Sequence, residues 1–97
     1  MTLKTYAFDS SRYLETAEDI AEFIDEAFQT GDPAFIAHAF GVVARAKGMT
    51  QIAKDAGLSR ESLYKALSET GNPELATVLR VAKSLGLRLG ATPVAAE

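Results

Sequence analysis

The 97-residue sequence contains no cysteine. This absence excludes a disulfide framework, a thiolate metal site and a cysteine nucleophile, and it fits a reducing compartment. No apolar run approaches the roughly 20 residues that span a bilayer, and the first residues lack the apolar region of a signal peptide. We therefore expect a cytoplasmic protein that has no membrane among its partners.

Groups that perform catalysis or bind metals are also scarce. His38 is the one histidine, and no carboxylate stands near it at the spacing of metal ligands. The chain has neither a glycine-rich phosphate loop nor a nucleophile elbow. The adjacent carboxylates Asp25 and Glu26 belong to an acidic helix face, so we do not expect them to act as a catalytic pair. We expect that the protein is not an enzyme and that it binds no metal, cofactor or small-molecule ligand. We interpret His38 as a partly exposed structural residue.

The composition is otherwise that of a folded protein with one core, since 47% of the residues are hydrophobic and 24% are charged. The formal net charge of -3 is unevenly distributed. Residues 1–33 hold eight acidic and two basic residues, a charge of -6, whereas residues 34–97 hold five acidic and eight basic residues, a charge of +3. This division predicts two different partners, the alternative being an acidic helix that only faces solvent.

Capping residues, glycines and apolar spacing predict an all-α fold with five helices. The predicted helices span residues 16–30, 32–47, 50–56, 59–68 and 72–86. Thr16 and Asp32 are the expected N-caps of the first two, with Pro33 at the first helical position. The predicted buried stripes are Ile20, Phe23, Ile24, Ala27 and Phe28 in the first helix, Ile36, Ala39, Phe40, Val43 and Ala44 in the second, and Leu75, Val78, Leu79, Ala82 and Leu85 in the last.

Two terminal segments have weaker patterns. Residues 2–13 carry Tyr6, Phe8 and Tyr13 in partial alternation, which fits either a short strand or an extended arm. The segment that begins at Leu87 alternates briefly and then loses its pattern. We expect it either to pair as a strand across a dimer or to fray.

The stretch Gly48–Leu67, GMTQIAKDAGLSRESLYKAL, is the most informative part of the chain. Gly57 falls where the first short helix must stop and the chain must turn, which favours a left-handed conformation. Leu58 is expected to enter the core and Ser59 to cap the next helix. Both helices are too short to be stable alone, so we expect them to pack on helices two and five. This pattern is typical of a helix-turn-helix, whose second helix enters the major groove of DNA.

The faces of that second helix follow from a turn of about 100° per residue. Leu63, Ala66 and Leu67 are predicted to face the core. The outward residues are then Arg60, Glu61, Ser62, Tyr64, Lys65 and Ser68. Arg60 is suited to guanine O6 and N7, Glu61 to cytosine N4, and Lys65 to guanine or a phosphate. The alternative is an ordinary exposed helix face with an ion pair between Glu61 and Lys65.

The segment AKDAGLSRESL, residues 53–63, resembles the lambda-repressor-like or Xre-type helix-turn-helix domains. By this resemblance, the base-contacting positions fall on Arg60, Glu61 and Lys65. The chain departs from the family at residues 50–53, which are shorter than the usual TQEELA, so Gln51 does not align with the phosphate-contacting glutamine of the family. The candidate DNA-binding set is Thr50, Gln51, Ser59, Arg60, Glu61, Ser62, Tyr64 and Lys65.

A longer resemblance covers about nine-tenths of the chain. The segments GDPA, ARAKGM, GLSRESLYKALS and GNPELATVL are together similar to addiction-module antidote proteins, the HigA-like antitoxins of two-gene toxin-antitoxin modules. The resemblance implies a small basic toxin of the RelE/ParE class as partner. It also implies that the antidote represses its own operon.

We therefore divide the chain into an acidic arm and helix at residues 1–31, a DNA-binding domain at residues 32–89 and a flexible tail at residues 90–97. The candidate toxin-binding residues are Tyr6, Phe8, Tyr13, Glu18, Glu22, Asp25 and Glu26. The expected partners are operator double-stranded DNA, the toxin and a second copy of the chain, because one such domain reads only a short half-site.

Two other functions remain open at this point: a stand-alone Xre-type repressor without a toxin, and a helical adaptor that binds only proteins. The acidic first third of the chain favours the antitoxin over the repressor, which has no need of it. Arg60, Tyr64 and Lys65 weigh against the adaptor, because their outward side chains suit nucleic acid. A short basic reading frame beside the gene would support the antitoxin.

Overall fold

A computed structural model describes residues 14–95, and within this range the chain forms five α-helices and no strand. Their bounds are Ala17–Gln29 for α1, Pro33–Lys47 for α2, Met49–Ala56 for α3, Arg60–Ala66 for α4 and Leu75–Ser84 for α5. The predicted all-α fold is thereby confirmed for the described residues. None of these helices combines the length and the apolar character that crossing a membrane requires.

The first two helices begin where their capping residues predict. The Thr16 hydroxyl accepts a hydrogen bond from the Asp19 backbone N–H at 3.0 Å, and the Asp19 carboxylate accepts one from the Thr16 N–H at 3.3 Å. This reciprocal pair satisfies two donors that the first turn leaves without helical partners. Asp32 caps α2 with a single bond, in which its carboxylate accepts from the Ala34 N–H at 3.0 Å, and Pro33 stands at the first helical position.

The prediction that the last helix begins at Asn72 and Pro73 is wrong. α5 begins at Leu75, after Glu74 in an extended conformation. The preceding turn explains the delay, since Gly71 lies so close to the carbonyl groups of Lys65 and Ala66 that no side chain fits there. Residues 72–74 are non-helical and connect this tight turn to α5.

The core of the domain is organised around α3. This helix packs against α2, α4 and α5, while α1 packs on α2. The expectation that the short helices are held by the second and fifth helices is therefore confirmed for α3. The largest fully buried side chains are Phe40, Ile20, Leu63, Leu67, Val43 and Val81.

The predicted stripe of α5 is partly wrong. Leu75 is 69% exposed and Leu79 is 47% exposed, whereas Val81 and Ala82 are fully buried. The face of α5 that packs on the core is centred on Val81 and Ala82, and this leaves the two leucines on its flank. Phe28, at the end of the predicted α1 stripe, is exposed as well.

A glycine turn ends α5 and starts the last described segment. Gly86 has a φ of 81°, and the Leu87 N–H donates to the Ala82 carbonyl at 2.8 Å. This bond satisfies a carbonyl group at the helix end. Residues 87–95 are non-helical, and Leu87 and Leu89 pack against the core.

Candidate nucleic-acid interface

A sharp turn joins α3 to α4. Gly57 lies in the left-handed region, with φ 74° and ψ 29°. The Gly57 N–H donates to the Lys54 carbonyl at 3.1 Å, and the Leu58 N–H donates to the Ala53 carbonyl at 2.9 Å. These two bonds form a Schellman turn, which requires a residue that adopts positive φ without strain. The predicted glycine conformation is confirmed, and Leu58 packs against the core as expected.

Ser59 begins α4 as its N-cap. Its hydroxyl oxygen accepts from the Ser62 N–H at 3.0 Å and lies 2.9 Å from the Ser62 hydroxyl, to which it donates. Both hydroxyl groups of this pair therefore take part in the start of the helix. The Ser59 hydroxyl thereby satisfies one of the donors that the first turn of α4 leaves without a helical partner.

The two sides of α4 differ in burial as the sequence predicts. Leu63 and Leu67 are buried and Ala66 is half-buried. The opposite side exposes Arg60, Glu61, Ser62, Tyr64 and Lys65. Ser68 was also predicted to point outward, but it is half-buried and its hydroxyl donates to the Lys65 carbonyl at 2.9 Å.

The charged residues of the exposed α4 side make few contacts with each other. The Arg60 guanidinium carbon lies 5.4 Å from the centroid of the Tyr64 ring, a cation–π distance. Glu61 and Lys65, both within the described range, do not form an ion pair with each other. Their charges are therefore not neutralised by a mutual contact on this surface.

Thr50 and Gln51 lie on the first turn of α3 and are exposed. The Gln51 side-chain amide donates to the Asp55 carboxylate at 2.9 Å, one turn further along the same helix. These two residues thus belong to the helix before the turn, whereas the other six candidates cap or occupy α4. The structure divides the candidate DNA-binding set between two consecutive helices.

The acidic face of α1 consists of Glu18, Glu22, Asp25 and Glu26, all of which are exposed. The Asp25 carboxylate accepts a hydrogen bond from the Gln29 side chain at 2.9 Å. This face belongs to a different helix from the exposed side of α4. The three aromatic candidates for toxin binding, Tyr6, Phe8 and Tyr13, lie outside the described residues.

His38 lies near a carboxylate that the sequence spacing did not indicate. Its Nδ1 atom is 3.9 Å from a carboxylate oxygen of Glu69, and both side chains are partly exposed. Glu69 follows α4, so the turn after that helix brings it to α2. Within residues 14–95 no cluster of three acidic or histidine side chains has the arrangement of a metal site.

An apolar groove that the sequence pattern did not indicate lies between α1, α5 and residues 87–95. Its lining includes Phe28, Leu75, Leu79 and Val94. The signal was present in α5, where apolar residues are too numerous for one stripe. Val81, which the predicted stripe omitted, is buried in place of Leu75 and Leu79.

The fold and this interface define a class of protein: a small helical domain in which two short helices, joined by a glycine turn, expose a polar face. The sequence matches the model of a family described as "Probable addiction module antidote protein" over residues 4–93. The chain belongs to this family of addiction-module antidote proteins.

A relative from Haemophilus influenzae, described as "Uncharacterized protein", is 48% identical over 88 residues. The aligned part covers 91% of this chain and 91% of the relative. The similarity therefore extends over nearly the full length of both proteins. No solved structure matches the chain significantly.

Proposed function

We propose that the chain is the antitoxin of a type II toxin-antitoxin module. It binds and neutralises a small basic toxin of the RelE/ParE type, and it represses its own operon. The family match supports the antitoxin role, because it extends over residues 4–93 and so includes both the acidic face of α1 and the α3–α4 pair. Both actions are binding events, without a catalytic step.

The observation that carries the DNA-binding part is the division of α4 into two sides. Leu63 and Leu67 anchor the helix in the core, and the polar side chains on the other side are free to meet a partner. We assign α3 and α4 to a lambda-repressor-like helix-turn-helix, in which α4 enters the major groove. Arg60 then reaches guanine, Glu61 reaches cytosine, and Lys65 reaches guanine or a phosphate.

The toxin-binding part is supported by the charge and position of α1. Its exposed carboxylates attract a basic protein and accelerate the encounter with it. Because they lie on a helix other than α4, substitutions can remove one activity at a time. Tyr6, Phe8 and Tyr13 are the proposed apolar contacts that slow dissociation of the toxin.

The operator-binding form is proposed to be a homodimer. One domain contacts only a short half-site, and two half-sites about 34 Å apart correspond to one helical turn of DNA. A symmetric operator is therefore matched by a two-fold symmetric protein. The dimer adds the affinity that one half-site does not supply.

The test uses a double variant that combines Arg60→Ala with Lys65→Ala. Its binding to the DNA upstream of the gene is measured by fluorescence anisotropy at fixed salt. Its ability to restore the growth of cells that express the neighbouring gene is measured separately. The double variant should lose operator binding and keep neutralisation. Its matched control is Arg80→Ala with Lys83→Ala, which removes the same charge from exposed positions of α5. Equal losses of operator affinity in the two double variants would contradict recognition of the operator by α4.

Deletion of residues 1–31 is a poor test of toxin binding by this segment. Ile20, Ile24 and Ala27 of α1 are buried in the core, so the deletion would also destabilise the domain. Charge substitutions on the acidic face leave these contacts in place. A chain that binds the operator but does not bind the neighbouring gene product would be a stand-alone repressor.

A further inference from the structure

Two serine hydroxyl groups at the start of α4 form a short, directed chain of hydrogen bonds. The Ser59 oxygen accepts from the Ser62 backbone N–H at 3.0 Å, and the Ser59 O–H donates to the Ser62 hydroxyl oxygen at 2.9 Å. A serine hydroxyl has one proton to donate and two lone pairs that accept. Ser59 therefore uses its proton within the protein, whereas the Ser62 hydroxyl receives a bond there without giving one.

The Ser62 hydroxyl proton remains available to a partner outside the domain. Among residues 14–95, the Ser62 hydroxyl makes no hydrogen bond other than the one from Ser59. Ser62 is exposed and is the third residue of α4. The first residues of a recognition helix are those that approach base edges in the major groove. The donor thus belongs to the part of α4 that, in the proposed function, meets DNA.

We propose that Ser62 donates this hydrogen bond to an acceptor atom of the operator, and that Ser59 is the positioning residue that orients the donor. The inference rests on the proposed operator binding by α4. It goes further by assigning the proton that Ser62 gives and the group that holds it. The acceptor is either a base-edge atom, such as guanine N7 or thymine O4, or a phosphate oxygen.

The bond from Ser59 acts on the Ser62 hydroxyl in two ways. It restrains the side chain, so less conformational freedom is lost when DNA binds. It also strengthens the outward donor, because hydrogen bonds in a chain polarise one another. A serine without such a partner turns either its proton or a lone pair toward DNA, and it therefore discriminates less between the acceptor and donor groups of the bases.

Ser68, just after α4, shows the opposite arrangement. Its hydroxyl donates to the Lys65 carbonyl at 2.9 Å, and the residue is half-buried. The proton of Ser68 is therefore used inside the domain. Ser68→Ala is thus a matched control, because it removes a serine hydroxyl from the same region without removing a donor that faces DNA.

The main experiment is a double-mutant cycle of Ser59→Asp and Ser62→Ala in the full chain. Aspartate is as good an N-cap as serine, but its carboxylate only accepts hydrogen bonds, so the Ser62 hydroxyl then donates to it. Fluorescence anisotropy at fixed salt gives the operator affinity, and circular dichroism confirms folding. Ser62→Ala should weaken binding roughly two- to tenfold in the wild-type chain, the effect of one lost hydrogen bond, and should have no effect in the Ser59→Asp chain.

The cycle separates positioning from charge. The added carboxylate repels DNA phosphates, but this effect is present in both chains that carry Ser59→Asp and cancels when they are compared. Ser59→Thr keeps a hydroxyl at the cap and should retain the full cost of Ser62→Ala. Ser68→Ala should bind the operator like the wild type. If Ser59 only capped the helix, the cost of Ser62→Ala would be the same in all three backgrounds.

Operator variants identify the acceptor atom. If it belongs to a base edge, the cost of Ser62→Ala should vanish on an operator with one altered base, and a single 7-deazapurine should have this effect if the atom is N7. If the acceptor is a phosphate oxygen, the cost should be the same on every operator. Either result supports donation by Ser62.

Three results would overturn the proposal. Wild-type affinity of Ser62→Ala would mean that Ser62 makes no bond to DNA. An equal cost of Ser62→Ala with and without Ser59→Asp would mean that Ser59 does not orient the donor. In both cases the wild type still binds the operator, so the proposed function stands. A wild-type chain that binds no operator would refute the DNA-binding function and this proposal together.

Discussion

The guanidinium carbon of Arg60 lies 5.4 Å from the centroid of the Tyr64 ring. The two residues are one helical turn apart on the exposed side of α4, so the ring restrains the arginine side chain. A guanidinium held over an aromatic ring can still direct N–H groups at paired acceptors, such as O6 and N7 of guanine. In the proposed interface, Tyr64 therefore prepares Arg60 for binding.

The first prediction concerns this stack. Tyr64→Ala should weaken operator binding by roughly two- to fivefold, the effect of losing an exposed cation–π contact. Tyr64→Phe retains the ring and should bind nearly as well as the wild type. Anisotropy titrations of both variants provide the measurement. If the phenylalanine variant is as weak as the alanine variant, the hydroxyl group contacts DNA and the stacking account is wrong.

The second prediction separates base recognition from phosphate contact. Arg60→Ala should cost about 1 to 3 kcal/mol of binding free energy and relax the preference at one operator position. Lys65→Ala should weaken all sequences alike and reduce the salt dependence of binding, as expected for a phosphate contact. Titrations against single-base operator variants at several salt concentrations distinguish the two. Identical behaviour of both variants on every operator would contradict this division of roles.

Local signals account for the parts of the fold that could be predicted. Thr16, Asp32, Gly57 and Ser59 act through neighbours within a few residues, so each predicted cap or turn is found in the structure. The buried and exposed sides of α4 also follow from its own periodicity, because its apolar residues form one stripe.

Features that depend on the packing of distant elements were not predicted. α5 has more apolar residues than one side can bury, and the contact with α3 determines that Val81 enters the core while Leu75 remains exposed. The approach of Glu69 to His38 likewise depends on the turn after α4. The apolar groove exists because Leu75 and Leu79 remain exposed, so periodicity within single helices did not indicate it.

The third prediction concerns Gly41, whose role the sequence also concealed. It lies within α2 and is buried, and a Cβ atom at this position would be 2.7 Å from the Leu67 carbonyl oxygen. The end of α4 thus packs directly on the α2 backbone. Gly41→Ala should destabilise the domain by roughly 1 to 3 kcal/mol, since a backbone atom cannot yield as a side chain can. Urea denaturation followed by circular dichroism measures the free energy of unfolding.

The sign of the change in unfolding free energy distinguishes a close backbone contact at Gly41 from helix propensity alone. In an exposed helix interior, alanine is about 1 kcal/mol more favourable than glycine. Ala46→Gly, at an exposed position in the last turn of the same helix, provides the control for this propensity and should be destabilising by less than this amount. If Gly41→Ala stabilises the protein by the amount that the control loses, α2 and α4 are not in close contact.

The fourth prediction concerns the acidic face of α1 and the proposed toxin. Glu18→Gln combined with Glu26→Gln should slow association with the toxin several-fold at low salt and change dissociation little, because long-range attraction acts mainly on the encounter. These two residues are exposed, so the change leaves the buried contacts of α1 with the core in place. Stopped-flow mixing with the purified toxin gives both rate constants.

The matched control is Glu69→Gln combined with Glu74→Gln, which removes the same charge from exposed positions outside α1. It should reduce the association rate less, since attraction between charges weakens with distance and is screened beyond about 10 Å at 0.1 M salt. At about 1 M salt, where the screening length falls to about 3 Å, the two double variants and the wild type should associate at similar rates. Equal slowing by both variants at low salt would mean that net charge, and not the acidic face of α1, attracts the toxin.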